Sequence, residues 1–440
     1  MKLQLLRNWL LYLLVFLLPL QTVYILREPF RNGAKWQSGT IMIYATEVLL
    51  WLILLLSGII LFKKNGWRRL IGKFKIKERN FLIILPVWLL IFWSGLSIFW
   101  SIDRPLAFYS WFKLLEISAL FLIILTADFD RFKVYWALVL AGAIEGVLAI
   151  SQFVSQTISA NKLLGIAGHL PAEIGASVVE NHGFWLRAYG SFAHPNILAG
   201  FLVVAFFAAL FLYLKEEPII DRFLAPLKIG LILIITGGIF FSFSRSAWLA
   251  LVLAYGCLFL LLFLKRANVD WRLAGKITVA LALLAAIIFI IYQPFILSRL
   301  AAKTTLEDIS LNRRERLIEQ SYQLISARPL SGIGLGNYTA VIWEKFPNFK
   351  TNENQPVHNV YLLIMSELGL IGLVIFLGWQ AAVLWLAFGR KNYLFLSLAL
   401  ALIIISFFDH YLWTQYAGLL MIYLIFALAV KDDKILNNER

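Results

Sequence analysis

Apolar runs recur along this chain, and many reach the roughly 20 residues that carry a helix across a bilayer. Across 440 residues, 61% are hydrophobic and 15% charged, where about 25% charged is usual for a soluble protein. An all-α polytopic membrane protein is expected. The runs suggest twelve spans, near 8–26, 41–62, 80–100, 106–126, 132–154, 196–214, 228–243, 246–264, 274–293, 359–388, 392–408 and 411–430. The tenth is overlong, so it should tilt or extend beyond the membrane. No internal repeat and no low-complexity linker divides the chain, so residues 1–440 read as one membrane domain.

The net charge of +15 could point to nucleic acid, but the basic residues fall mostly between apolar runs, where membrane orientation places them. Counted over the termini and short connections, one side carries 24 Lys and Arg and the other 5. That bias expects both termini in the cytoplasm and the chain in the cytoplasmic (inner) membrane. The opening "MKLQLLRNWLLYLLVFLLPLQ" lacks a small-residue cleavage site and reads as a retained first helix. Cys257 is the single cysteine, which excludes an intrachain disulfide and a CxxC metal site.

The same orientation puts two long connections, 155–195 and 294–358, on the outer (periplasmic) face. The second, between spans 9 and 10, should be large and partly helical. The "FSRSA" break at 243–247 and the "DHY" corner at 409–411 open on that side too.

Four stretches there could carry chemistry. In "FSFSRSAWLAL" (241–251), Arg245 sits between two apolar runs with hardly any loop. It either snorkels to lipid headgroups or clamps a phosphate with its planar fork. In "SLNRRERLIEQSYQLISARPLSGIGLGNY" (310–338), a helix should start at Asn312 as N-cap and stop before Pro329. Arg313, Arg314 and Arg316 would crowd its first turn, against the helix dipole, which suggests an anionic partner or a solvated basic face. The "GIGLGN" that follows has no strand before it, so nucleotide binding is excluded; its glycines should turn the backbone tightly toward the membrane.

In "PVHNVYLLIMSELGLIG" (356–372), His358 and Asn359 stand directly before an apolar helix. An imidazole with an ordinary pKa near 6.5 can accept a proton at neutral pH, or it can simply mark the helix end. Glu367, nine residues on, should face away from His358 and act as a buried hydrogen-bonding acid. In "LRAYGSFAHPNILAGFL" (186–202), Arg187, His194 and Asn196 precede a span whose start is marked by Pro195. They offer either capping or a second anion or sugar contact. Inside the spans, Lys113 and Glu116 are expected to neutralise one another at i,i+3. The histidines form no HExxH pattern, so no bound metal and no cofactor is expected.

Taken in order, "RAYGSFAHPNILAGFL", "FSFSRSAWLAL", "RRERL…ARPLSGIGLGNY" and "HNVYLLIMSELGLIG" resemble the O-antigen ligase and O-antigen polymerase superfamily of polytopic glycosyltransferases. The resemblance implies transfer of a glycan from an undecaprenyl-pyrophosphate donor, without metal or nucleotide sugar, in cell-envelope polysaccharide biosynthesis. The acceptor hydroxyl would belong to a glycan, a lipid or a protein, the last being the protein O-oligosaccharyltransferase branch. Carried over by position, Arg245 and an arginine of the 313–316 cluster would hold the pyrophosphate, and His358 would be the base or acceptor-orienting group. Arg314 is preferred to Arg313 because it lies fifteen residues before Pro329. Where the family often has an aromatic a turn later, this chain has Ile318 and Glu319. Arg187, His194, Asn196, Arg313, Arg316, Asn337 and Asn359 are the expected further substrate contacts. A lipid-linked glycan flippase and an assembly scaffold are the alternatives from other classes; a transporter would show inverted repeats and charges along a mid-membrane path.

Overall fold

The computed structural model describes residues 2–63, 78–214, 220–267, 269–301, 305–347 and 354–431. Parts of the basic segments that set the orientation, 64–77, 215–219 and 432–440, lie outside the described residues, as do 302–304 and 348–353 of the second long connection.

The chain is mostly helical. Its helices are α1 Lys2–Phe16, α2 Ala45–Lys63, α3 Glu78–Ser97, α4 Arg104–Thr126, α5 Arg131–Ser155, α6 Pro195–Leu214, α7 Ile220–Phe241, α8 Arg245–Leu264, α9 Trp271–Ala301, α10 Thr305–Ala327, α11 Tyr338–Lys345, α12 Val360–Gly389, α13 Tyr393–Ser406, α14 Tyr411–Thr414 and α15 Tyr416–Val430. Among the described residues, nine helices are long and apolar enough to cross a membrane; α13 and α15 are shorter apolar helices. The protein is a multi-pass membrane protein.

Packing separates central from peripheral helices. In α6, 89% of the apolar stretch is buried, and every residue of α15 is buried. In α9 only 17% is buried although the stretch is equally apolar. An apolar helix turned outward is stable only against lipid, where helix contacts come from close packing rather than from the exclusion of water. Close packing is visible at Gly142, Gly146 and Gly238, whose missing side chains let α5 approach α6 and α7.

The first expected span is corrected. Residues 8–26 do not form one helix: α1 ends at Phe16, and β1 (Val23–Arg27) then pairs antiparallel with β4 (Ile41–Tyr44). Strands β2 (Phe30–Arg31) and β3 (Ala34–Lys35) close the hairpin between them. The run of β-branched and aromatic residues in "TVYIL" favours an extended chain once Pro19 has ended the helix.

The overlong tenth stretch is also explained. Its helix breaks at Gly369 (φ 69°, ψ −170°), so a short segment, 360–368, precedes the long one. A side chain at Gly369 would meet the Leu330 carbonyl, so only glycine fits that left-handed position. The "GIGLGN" turn docks into the break: Ile333 and Gly334 N–H donate to the Ser366 and Glu367 carbonyls (3.0 and 2.8 Å). Gly332, Gly334 and Gly336 all have positive φ, so the glycines do turn the backbone back onto the bundle.

The expected Lys113–Glu116 pair is not made. Lys113 bonds Glu47 of α2 instead, and Glu116 accepts from Trp51 Nε1 (2.7 Å). Buried ions need the best available geometry, and a carboxylate on a neighbouring helix supplies it better than one on the same helix.

Candidate active site

Four separate pieces of chain meet beside the start of α6. The first is the end of the 155–195 connection, a short hairpin of β5 (Val178–Glu180) and β6 (Phe184–Leu186) running into residues 187–194. Two buried side chains of α5 grip it. Gln152 bonds Tyr189 N, Gly190 N and Gly190 O; Glu145 accepts from Ser191 N (2.8 Å) and Ser191 Oγ (2.7 Å). Held this way, Arg187 is buried, with Nε on the Ser242 carbonyl (2.8 Å) and Nη2 on Asn196 Oδ1 (2.7 Å).

The second piece is the α7–α8 break. Ser242 and Phe243 form a tight turn, Phe243 with φ 49°, so that Arg245 emerges at the first position of α8. The third is the end of α9, where Arg299 donates from Nε to the Phe243 carbonyl (3.1 Å) and its own carbonyl accepts from Arg245 Nη1 (3.3 Å). The fourth combines α10 with the α12 and α13 ends. Asn359 caps α12 by accepting from Tyr361 and Leu362 N–H, and its Nδ2 donates to the Phe407 carbonyl (3.1 Å). That tie brings His358 beside the 409–410 corner.

The ring of His358 lies edge-on to that of His410, centroids 5.0 Å apart. Ligand atoms of His358, Asp409 and His410 all fall within 4.8 Å of one another. Asp409 is buried and accepts from Asn196 Nδ2 (2.7 Å) and His410 N (2.8 Å). Asn196 therefore bridges Arg187 to Asp409. The Nδ1 of His358 is buried and makes no hydrogen bond.

Electrostatics link these groups. Burial pushes the Asp409 carboxyl up, but the imidazoles of His358, His410 and His194 and the Asn196 hydrogen bond bring it down to about 2. It is a carboxylate at any physiological pH. Burial lowers His358, and Arg314 and Arg313 lower it further, against the opposing pull of Asp409. The imidazole is therefore neutral at neutral pH, with a ring nitrogen able to accept a proton. Burial, Arg245 and Arg314 hold Arg187 down to about 10, against Tyr189 and Asp409. Burial lowers Arg314 as well; Asp409 opposes this and Arg245 adds to it. Arg299 lies within reach of Arg187, Arg245 and Arg314. Guanidiniums that destabilise one another's charge form a site suited to an anion with more than one negative charge.

Not every expected contact faces this centre. His194 is occupied: its Nδ1 accepts from Asn196 N (3.2 Å) and its Nε2 meets Ser177 Oγ (3.1 Å). Burial and Arg187 lower it to about 3, so it is a neutral element of the turn. Asn337 is fully buried and exchanges hydrogen bonds with Asp103 and Leu335. Asn359 is spent on its cap and on Phe407. Arg316 is exposed, whereas Arg313 and Arg314 are half-buried.

The expected start of the arginine helix is corrected. α10 begins at Thr305, so Asn312 is interior and not an N-cap, and Arg313, Arg314 and Arg316 lie beyond the first turn. Asp308, in that first turn, is the residue type the dipole favours there. The dipole conflict disappears, and packing of α10 against α12 aims the arginines instead.

Sequence reading missed two groups. Arg299 follows an apolar run as Arg245 does, and that parallel was the available signal. Asp409 and His410 showed only as a polar corner between apolar stretches; no spacing links them to His358, 51 positions away. The His358–Asp409–His410 trio has the donor types for a divalent metal, but Arg313 and Arg314 beside His358, with Arg187 and Arg314 beside Asp409, oppose a further positive charge.

Residues 230–377 match the O-antigen ligase family model. That stretch, 148 of the 440 residues, is similar to the O-antigen ligase family. The match supports the superfamily that the motifs resemble and a membrane glycan-transfer function of O-antigen ligase type, with a lipid-linked glycan and an acceptor as partners. The matched stretch contains Arg245, Arg299, Arg313, Arg314 and His358; Arg187, His194 and Asn196 lie before it and Asp409 and His410 after it. No curated protein matches the chain.

Proposed function

We propose that the protein transfers a glycan from an undecaprenyl-pyrophosphate donor to an acceptor hydroxyl at the outer face of the cytoplasmic membrane, as a surface-polysaccharide ligase or polymerase. The observation that carries this reading is the meeting of Arg187, Arg245, Arg299 and Arg314 with a half-buried, neutral His358 backed by Asp409. Arg245 and Arg314, supported by Arg187 and Arg299, hold the pyrophosphate.

The acceptor oxygen attacks the anomeric carbon, the carbon–oxygen bond to phosphate breaks, and the electron pair leaves with the pyrophosphate. Negative charge rises on that group as the bond breaks, so fixed guanidiniums in a half-buried site stabilise the transition state more than water does. His358 takes the proton from the acceptor hydroxyl, and Asp409 stabilises the imidazolium that results. Attack opposite the leaving group inverts the anomeric centre. No step uses a metal.

The test is deletion and complementation, with lipid-linked and surface glycans resolved on a gel. Loss of long chains with single lipid-linked repeats accumulating indicates a polymerase; finished polymer left on the carrier indicates a ligase. Normal external glycans with Arg245→Ala or His358→Ala would overturn the reading. Donor trapped in the inner leaflet would make the protein a flippase.

A further inference from the structure

A base must lose its proton after every turnover, and Arg313 and Arg314 beside His358 repel a departing cation. The other neighbour of His358 is His410, whose ring lies edge-on at 5.0 Å. Ligand atoms of the two side chains fall within 4.8 Å of one another, roughly the reach of two hydrogen bonds through one water. The Nδ1 of His410 is taken by Thr414 Oγ1 (2.8 Å), which leaves Nε2 for exchange with His358.

A cavity of about 160 Å³ is lined by His410 and Thr414 but not by His358, Asp409 or the site arginines. Gln37 and Thr414 in its wall are exposed, so it opens to solvent. One water needs only ~10–15 Å³, so a connected string of waters fits, and Ser38, Thr40, Ser110 and Gln415 offer them polar partners. The charged side chains of the wall have partners of their own: Lys113 bonds Glu47, and Glu367 accepts from Trp413 Nε1 (3.1 Å). His410 is the member of the wall that also neighbours the site. Burial and His358 lower its imidazole to about 4, against the pull of Asp409, so a proton that reaches it moves on.

We propose that His410 is the exit relay for the acceptor proton, carrying it from His358 by way of Thr414 into this cavity and so to solvent. The step rests on the transfer reading above, which supplies the proton. The acceptor O–H bond breaks as the new carbon–oxygen bond forms, and His358 holds the proton. His358 then releases it, through one water, to Nε2 of His410. His410 gives up the proton on Nδ1 to Thr414 Oγ1, which passes its own to cavity water. Both imidazoles end neutral, Thr414 is unchanged, and one proton has reached water; exchange with water restores the first tautomer of His410. His410 touches no substrate in this scheme and acts through His358.

The test uses the purified full chain in nanodiscs, turning over the lipid-linked glycans and acceptor extracted from membranes of cells deleted for the protein. His410→Gln keeps a hydrogen-bonding end but cannot relay a proton. It should lower kcat about tenfold or more, short of the ~10²–10⁴-fold expected at the base itself, with KM unchanged. His410→Ala should fall as far and be rescued by added imidazole but not by pyrazole, a ring of the same size and far weaker basicity. Thr414→Val, at an exposed position, should cost about two- to tenfold in kcat, the size of one neutral hydrogen bond. Wild-type kcat in His410→Gln overturns the proposal. A loss in His410→Ala that imidazole does not restore, or that pyrazole restores equally, overturns it too, since the ring is then a wall and not a relay. No turnover in wild type removes the transfer reading and this step with it; turnover with either of the overturning results removes this step alone.

Discussion

Charge is buried in two settings in this protein, and they are resolved in opposite ways. Within the spans the buried acids are met by neutral or paired donors: Glu47 takes Lys113, Glu116 takes the Trp51 indole on one oxygen, Glu145 takes Ser191 twice, and Glu367 takes the Trp413 indole. At the mouth beside α6, guanidiniums stand close enough to weaken one another's charge, and one carboxylate, Asp409, serves two of them as well as the imidazoles around it. The first arrangement holds helices together. The second gathers several positive charges around one carboxylate, an arrangement suited to an anion, as the proposed function requires.

The sharpest way to break this contrast is at His358. His358→Ala should lower kcat ~10²–10⁴-fold if the imidazole takes the acceptor proton. His194→Ala, which alters a neutral turn histidine, should act through the amount of folded protein with little change per molecule. Equal kcat losses per folded molecule would end the distinction between the two histidines.

Next in size, Arg314→Ala should cost about a hundredfold in kcat/KM, the loss of one electrostatic donor. Arg314→Lys should recover only part, since a point charge cannot make the bidentate contact. The thermal midpoint of Arg314→Ala in detergent should not fall, because a mutually repelling charge has been removed. Glu145→Ala should do the opposite. It leaves the Ser191 N–H without an acceptor, while Ser191 Oγ keeps the Pro19 carbonyl (3.0 Å), at about 1–3 kcal/mol of stability with near-normal transfer per folded molecule. A destabilised Arg314→Ala beside an undisturbed Glu145→Ala would invert the comparison.

Proton linkage gives a smaller, directional effect. His358 is lowered by burial, Arg314 and Arg313 and raised by Asp409, so the acid limb of kcat/KM, which reports the free enzyme, should lie below the ordinary histidine value of ~6.5. Activity is lost as pH falls through that limb and the base is protonated. Removing the Arg314 charge should move the limb to higher pH; Asp409→Asn should move it lower. A limb that shifts the same way in both variants belongs to another group.

The extent to which sequence foretold this picture depends on range. Apolar length located the helices because a bilayer sets that length locally, and "PLSGIGLG" announced its turn because three glycines in six residues have few other uses. The overlong stretch at 359–388 was ambiguous because a glycine inside an apolar helix is tolerated; only contact of Gly369 with Leu330 makes it a break. The first span was drawn too far because "TVYIL" is as apolar as a helix and differs in propensity alone. At the site, Arg245 and His358 stood out because each is polar at an apolar threshold, and Arg314 because it sits in a crowd of arginines fifteen residues before Pro329. Asn359 shared the threshold signal and Asn337 ended the glycine turn, yet they are a cap and a brace, roles that sequence does not separate from ligand contact. Asp409 was silent because its meaning comes from Asn196, 213 positions earlier.

The least effect should come from the arginine that shares the cluster's sequence but not its place. Arg316 is two residues from Arg314, and its side chain is exposed on α10. A guanidinium in water is screened by salt and ordered by nothing, so it neither holds a pyrophosphate nor strains its neighbours. Arg316→Ala should leave stability within about 0.5 kcal/mol and kcat/KM within about twofold of wild type. The paired measurement with Arg314→Ala is decisive because composition and helix are held constant and only burial differs. A loss at Arg316 approaching that at Arg314 would mean that α10 works as a diffuse basic surface, and the convergent site would have to be given up.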